Sequence, residues 1–233
     1  MDIHVATAFP GMLAGPLQQS ILKQAKEKNL ADYHIYDLRD FAEGKHRQID
    51  DYPYGGGPGM VLKPEPIIRC VEAILEKCLN KSCLIILLTP QGETFKQKLA
   101  HEFTKFEHLI FVCGHYKGID ERVRQHFLPR EISIGNYVLS SGEIAALVMI
   151  DSVVRLIPGV LNDFDSAASD SFESELVDYP HYTRPAVFRN MAIPDVLLSG
   201  NHAEIKKWRQ LKSIEKTEIK KKRETFGDGF GND

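Results

Sequence analysis

Three glycine-bearing turns are the places where this chain could do chemistry. The first is Leu88-Thr89-Pro90-Gln91-Gly92-Glu93, the second runs from Cys113-Gly114-His115-Tyr116-Lys117-Gly118 to Arg122, and the third is Ile134-Gly135-Asn136-Tyr137-Val138-Leu139-Ser140-Ser141-Gly142-Glu143. Each follows a short apolar run with the character of a strand. In an open α/β sheet, ligands bind beyond the carboxyl ends of the strands, where such loops converge. Loops that bring bare backbone to a ligand suit a nucleotide or nucleoside. The chain has no G-x-x-x-x-G-K-[ST] and no G-x-G-x-x-G after its first strand, which argues against a P-loop enzyme or a standard dinucleotide fold. A fourth loop, Asp50 to Met60, holds Gly55-Gly56-Gly57, whose ordering costs backbone entropy; it reads either as a place of close approach to the backbone or as a flexible surface turn.

The elements that must position these loops alternate along the first 158 residues. Strand-like runs cover Ile3–Phe9, Tyr33–Leu38, Cys83–Leu88, His108–Cys113 and Glu131–Ile134. Helical periodicity covers Leu17–Glu27, Glu65–Leu79, Phe95–Lys105, Asp120–Phe127 and Glu143–Ile157. Continuous apolar strands such as Leu84 to Leu88 predict an α/β fold, a parallel sheet with helices on both faces. The last helix is apolar nearly all round, which predicts burial, and Pro158-Gly159 stops it. Asn201-His202-Ala203-Glu204 has the form of a capping box that opens a helix through the basic run beyond it. The glycine-bearing tail from Gly227 to Asp233 reads as disordered.

Composition narrows the function classes. In 233 residues, 43% hydrophobic and 26% charged content is ordinary for a globular protein. No apolar run is long enough to span a bilayer and the first residues lack the form of a signal peptide, so a soluble, cytoplasmic protein is expected. The four cysteines show no C-x-x-C spacing and no nearby histidine pair, so reduced, structural thiols and no metal site are expected. The net charge of −3 conceals a segregation. Residues 206–223 hold nine of the 29 Lys and Arg, whereas residues 161–178 hold six acids and no base. The basic run fits a polyanionic partner or a solvated helix face; the acidic run reads as a flexible linker.

These motifs, taken together, resemble a known family. Asp51 to Met60, Gly114 to Asp120, Ile134 to Glu143, His181-Tyr182-Thr183-Arg184-Pro185 and Leu197 to Ile205 are similar, in order, to signature stretches of the bacterial tRNA (guanine-N(1)-)-methyltransferase family, TrmD. The likeness runs to about residue 212 and loosens beyond it. Lys117 stands where the family carries a glutamate, so no side-chain role is transferred there, and Ser141 stands where it carries glycine. The resemblance implies a SPOUT-class homodimer with composite active sites and a trefoil knot in its catalytic domain (residues 1–160). The acidic linker would span 161–178, and a small helical tRNA-binding domain 179–233. It implies S-adenosylmethionine as methyl donor, tRNA as partner, and as target the guanosine immediately 3′ of the anticodon. A Mg²⁺ requirement is not legible in the sequence.

Residue roles follow from the same resemblance. Asp170 is implied as the base that takes the guanine N(1) proton. Arg155 is suited to stabilise negative charge on O6, or alternatively to pair with Asp151 one helical turn away. Pro90, Gly92, Gly114, Tyr116, the run Ile134, Gly135, Asn136, Tyr137, Val138 and Leu139, and Gly142 are expected to bind the donor. His46, Asp51 and Arg184 are expected to contact tRNA, with Asp178 on the substrate side near the donor's amino group. Two alternatives stay open: a non-catalytic RNA-binding protein, and a knotted RNA methyltransferase with another target, such as a ribose hydroxyl.

Overall fold

The structure is a computed structural model that describes residues 1–161 and 176–227. It divides into two compact units, Met1–Asn162 and Asp163–Asp233. In the first unit, in chain order, stand β1 (Asp2–Thr7), α1 (Gly11–Ala14), α2 (Ser20–Glu27), β2 (Asp32–Asp37), β3 (Asp50–Asp51), β4 (Val61–Leu62), α3 (Pro64–Lys77), β5 (Cys83–Thr94), α4 (Gln97–Phe103), β6 (His108–Cys113), α5 (Glu121–Phe127), β7 (Arg130–Ser133) and α6 (Glu143–Val154). Five strands form one sheet in the order β2-β1-β6-β5-β7, and every pairing is parallel.

The alternation of side chains across the strands sorts the core into two layers. Ile3 and Val5 of β1, Leu109 and Phe111 of β6, and Ile86 and Leu88 of β5 pack with residues of α1, α2, α4 and α6. Ala6, Leu87, Ile110 and Val112 point the other way and pack with α3 and α5. All six residues of β6 are buried, as expected for a central strand covered on both faces. Helix α3 starts on Pro64, whose missing N–H costs nothing at that position, and buries Ile67, Cys70, Val71 and Ile74 at helical spacing. Helix α5 is capped by the Asp120 side chain, which accepts from the Arg122 N–H at 2.9 Å.

Two readings need correction. Strand β5 does not stop at Leu88. Leu88 and Glu93 both face Ile132 of β7, so Thr89–Gly92 bulges out and the strand then resumes. Helix α6 is not buried all round. Ile144 and Val148 are each 44% exposed and share a face with Asp151 and Arg155.

The second unit contains an antiparallel hairpin of β8 (Val187–Phe188) and β9 (Met191–Ala192), turned through Arg189 and Asn190 in the left-handed region. The long helix α7 (His202–Gly227) follows, and the Asn201 side chain caps it by accepting from the Glu204 N–H at 3.3 Å. The segment before the hairpin lies along α7: the Val177 N–H donates to the buried Thr217 hydroxyl at 2.9 Å, and Arg209 stacks over Tyr179. Of the basic residues on α7, all but Lys212 and Lys220 are exposed. The acidic linker and the tail fall almost wholly outside the described residues.

Candidate active site

The bulge of β5 and the carboxyl ends of β6 and β7 border a cleft of about 330 Å³. One wall is Leu87–Gln91, the opposite wall is Gly114–Ile119, and the segment from Ile132 to Gly142 closes the third side, with Ala145 beneath. The volume falls in the range of small-molecule sites, and apolar side chains alternate there with hydroxyls and bare backbone. Leu87, Ile132, Ile134 and Leu139 offer an apolar bed, while Thr89, Ser133, Ser140 and Ser141 offer hydroxyls.

Local chemistry fixes these loops. The Ser133 hydroxyl donates to the Gly135 carbonyl at 3.0 Å and accepts from its N–H at 3.2 Å, which bends the chain straight after β7. Gly135 has φ +152°, and a Cβ there would lie 2.4 Å from the Tyr137 ring. The third loop then crosses back to β6. The Gly142 N–H donates to the Gly114 carbonyl at 2.9 Å, and His115 bridges Ser141. A Cβ on Gly142 would lie 2.9 Å from Cys113 Cα, so only glycine lets the start of α6 lie this close to the end of β6.

Beneath the cleft, the Thr7 hydroxyl donates to the buried Glu143 carboxylate at 2.5 Å and accepts from the Phe9 N–H at 2.8 Å, joining the end of β1 to α6. Burial, with the Glu143 carboxylate adding, pushes the Cys113 thiol well above its ordinary pKa. Tyr116 holds a left-handed backbone with φ 60°. Burial and then its hydrogen bond to Asp50 raise the pKa of its hydroxyl. The His115 ring packs on Phe9 with centroids 4.6 Å apart. The Asp50–Met60 loop is pinned to the second wall, since the Lys117 N–H donates to Met60 and the Leu62 N–H to Gly118, both at 3.0 Å.

Of the residues expected to bind the donor, all but Gly92 and Asn136 line the cleft. Gly92 serves the fold instead, since a Cβ there would sit 2.4 Å from the backbone of Glu131. Asn136 is exposed and outside the lining. Lys117, given no role from sequence, does line the cleft, as do Gln91 and His115. Thr7 and Glu143 were missed because no local pattern marks them; they meet only through the fold.

The other candidates lie elsewhere. Arg155 caps the far end of α6, about 18 Å along the axis from Glu143 at 1.5 Å per residue, and is not in the cleft lining. His46 and Asp51 are exposed and outside the lining, and the Asp51 side chain accepts from the Tyr52 N–H at 2.8 Å. In the second unit, Asp178 pairs with His181 at 2.7 Å and Arg184 is exposed. Asp170 lies outside the described residues.

Comparison with known proteins gives this geometry a family. Curated relatives called tRNA (guanine-N(1)-)-methyltransferase include those of Anoxybacillus flavithermus, 53% identical, and Brevibacillus brevis, 54% identical, each over 95% of this chain and 90% of the relative. The Geobacillus kaustophilus protein of that name is 52% identical over the same shares. Residues 1–226 match the family described as tRNA (Guanine-1)-methyltransferase TrmD, and the chain belongs to that family.

Proposed function

We propose that this protein transfers the methyl group of S-adenosylmethionine to N(1) of the guanosine immediately 3′ of the anticodon in tRNA. The observation that carries the reading is the cleft between the three glycine-bearing loops. Its apolar bed suits the adenine ring and its free backbone groups suit the ring's polar edge. The glycines at positions 135 and 142 let the loops that line it pack tightly on Tyr137 and on the end of β6. When bound, the donor supplies a methyl group already activated by a sulfonium. The protein's part is to position it and to make the guanine nucleophilic.

Guanine N(1) carries a proton at neutral pH, so a base must accept it. Asp170 of the partner subunit is that base in this reading. Arg155 stabilises the negative charge that builds on O6 as the proton leaves. With Arg155 a whole helix length from its own cleft, the guanidinium acts on the cleft of a second copy, and the active site is composite. The exposed apolar residues Ile144 and Val148 of α6, together with Tyr137, Val138 and Leu139, supply a surface for such a homodimer. The third loop leaves β7 at the sheet edge, crosses the end of β5 and reaches β6, beside the bulged Thr89–Gly92 loop. That path supports a trefoil knot of the SPOUT class.

The basic helix α7 then meets tRNA phosphates, with His46, Asp51 and Arg184 as further contacts and Asp178 on the substrate side. In this reading residues 1–160 form the catalytic domain, 161–178 link it, and 179–233 form the tRNA-binding domain. No helix of the described residues is long and apolar enough to cross a membrane. Work on tRNA in the cytoplasm fits that. The test is methyl transfer to unmodified tRNA transcripts with the product nucleoside identified by mass spectrometry. The reading requires 1-methylguanosine at the nucleotide 3′ of the anticodon; a methylated ribose, or no methylation, would refute it.

A further inference from the structure

At the opposite end of the sheet from the cleft lies a second cavity, of about 290 Å³, which the methyl-transfer reading leaves unused. Three histidines meet there. His4 on β1 and His34 on β2 are register partners and stack with ring centroids 4.8 Å apart. His108, the first residue of β6, lies with its Nδ1 3.0 Å from His4 Nε2. These positions fall on the sheet face covered by α3, and just past the end of α3 stands Cys78. His4 and His108 are each 3% exposed and Cys78 is 4% exposed.

Buried polar atoms are normally hydrogen-bonded, because an unmet one costs free energy. His4 meets this requirement on both ring nitrogens, with His108 on one and the Tyr36 hydroxyl on the other at 3.1 Å. His108 does not: its Nε2 is enclosed and has no partner among the described residues. One ring nitrogen from each histidine and the Cys78 sulfur lie within 4.8 Å of one another. Tetrahedral zinc with Zn–N of about 2.0–2.1 Å and Zn–S of about 2.3 Å sets its donors roughly 3.4–3.6 Å apart, within a side-chain adjustment of this arrangement.

We propose that His4, Cys78 and His108 form a binding site for a borderline-soft divalent cation, Zn²⁺ in the first instance. Imidazole and thiolate donors select such ions over Mg²⁺ or Ca²⁺. The fourth position falls to water from the cavity. Each neutral imidazole keeps its N–H on the ring nitrogen that does not ligate, and the Cys78 thiol gives up its proton, so one proton is released per ion bound. Lys77 and Lys81 also line the cavity, as does Asp2, whose carboxylate lies 3.0 Å from His34 Nε2. A neighbouring group of Asp2, Asp32 and His34 is more exposed and already paired with Lys26 at 2.8 Å, so it carries no proposal.

The full chain, stripped with chelator and kept reduced with a phosphine, is titrated with Co²⁺ and then with Zn²⁺. One equivalent of Co²⁺ per chain should bind with the visible spectrum of a tetrahedral centre and a thiolate-to-cobalt charge-transfer band, and Zn²⁺ should displace it. Cys78→Ser should remove the charge-transfer band, and His108→Gln should weaken binding more than tenfold. A titration without saturable binding, saturable binding without the band, or a band that survives Cys78→Ser would overturn the proposal. Should a variant fail to fold, the wild-type titration alone decides: a band at one equivalent upholds the site and its absence removes it.

Discussion

Replacing Gly142 with alanine probes the contact on which the cleft is built. The backbone there has φ −79°, which alanine adopts freely, so the whole effect is steric. The new methyl would lie 2.9 Å from Cys113 Cα, 3.1 Å from Gly114 N and 3.3 Å from Cys113 Cβ. Carbon atoms are at ease about 3.5–4.0 Å apart, so the start of α6 must retreat from β6 by roughly 0.6–1 Å. That retreat stretches the Gly142–Gly114 hydrogen bond from 2.9 Å to beyond useful length. Overpacking costs about 1–3 kcal/mol and the lost bond about 0.5–1.5, for a total of roughly 2–4 kcal/mol. For a unit of this size the melting midpoint should fall by about 4–16 °C. Because Gly114 and Gly142 both line the cleft, calorimetry should show S-adenosylmethionine binding at least tenfold weaker. Gly114→Ala is the control. Its Cβ would meet nothing nearer than the Leu88 carbonyl at 3.6 Å, so its melting midpoint should stay near wild type. A Gly142→Ala protein with unchanged melting and unchanged donor affinity would refute the reasoning.

Two further outcomes follow from the assigned roles. Asp170→Asn should keep donor affinity while turnover with saturating tRNA falls about 10²–10⁴-fold, and near-normal turnover would remove Asp170 as the base. The logarithm of tRNA affinity should fall steeply with the logarithm of salt concentration. Neutralising Lys220, Lys221 and Lys222 together should flatten that slope, whereas an unchanged slope would leave this part of α7 a solvated face.

The sequence was most legible where one physical signal dominated. Leu109–Cys113 is a continuous apolar run, and with His108 before it, it is the strand β6. The glycine turns marked the cleft because close backbone approach needs glycine, but the pattern does not say what each glycine approaches. Gly92 and Gly142 look alike in sequence; one packs on β7 and the other lines the cleft. Helix α6 reads as buried on every side because hydropathy does not distinguish a core from an exposed apolar face. The resumption of β5 after its bulge depends on pairing with β7, which no local pattern encodes. Contacts between distant residues were beyond reach altogether. Thr7 and Glu143 are 136 residues apart, and His4 and His108 are 104 apart, so no local spacing in the sequence marks either contact.

In the proposed function each cleft works with Asp170 and Arg155 of the partner subunit, and subunit mixing tests that most directly. One chain carries Asp170→Ala, and the other carries Gly114→Trp to fill its cleft; each homodimer should be inactive. In a mixed dimer the open cleft of the first chain meets the intact Asp170 of the second, which restores one site of two. With random pairing about half the dimers are mixed, so methyl transfer should recover to roughly a quarter of the wild-type rate. If the subunits demonstrably exchange and activity stays at the level of the separate variants, the base acts on its own chain's cleft and the composite site is wrong.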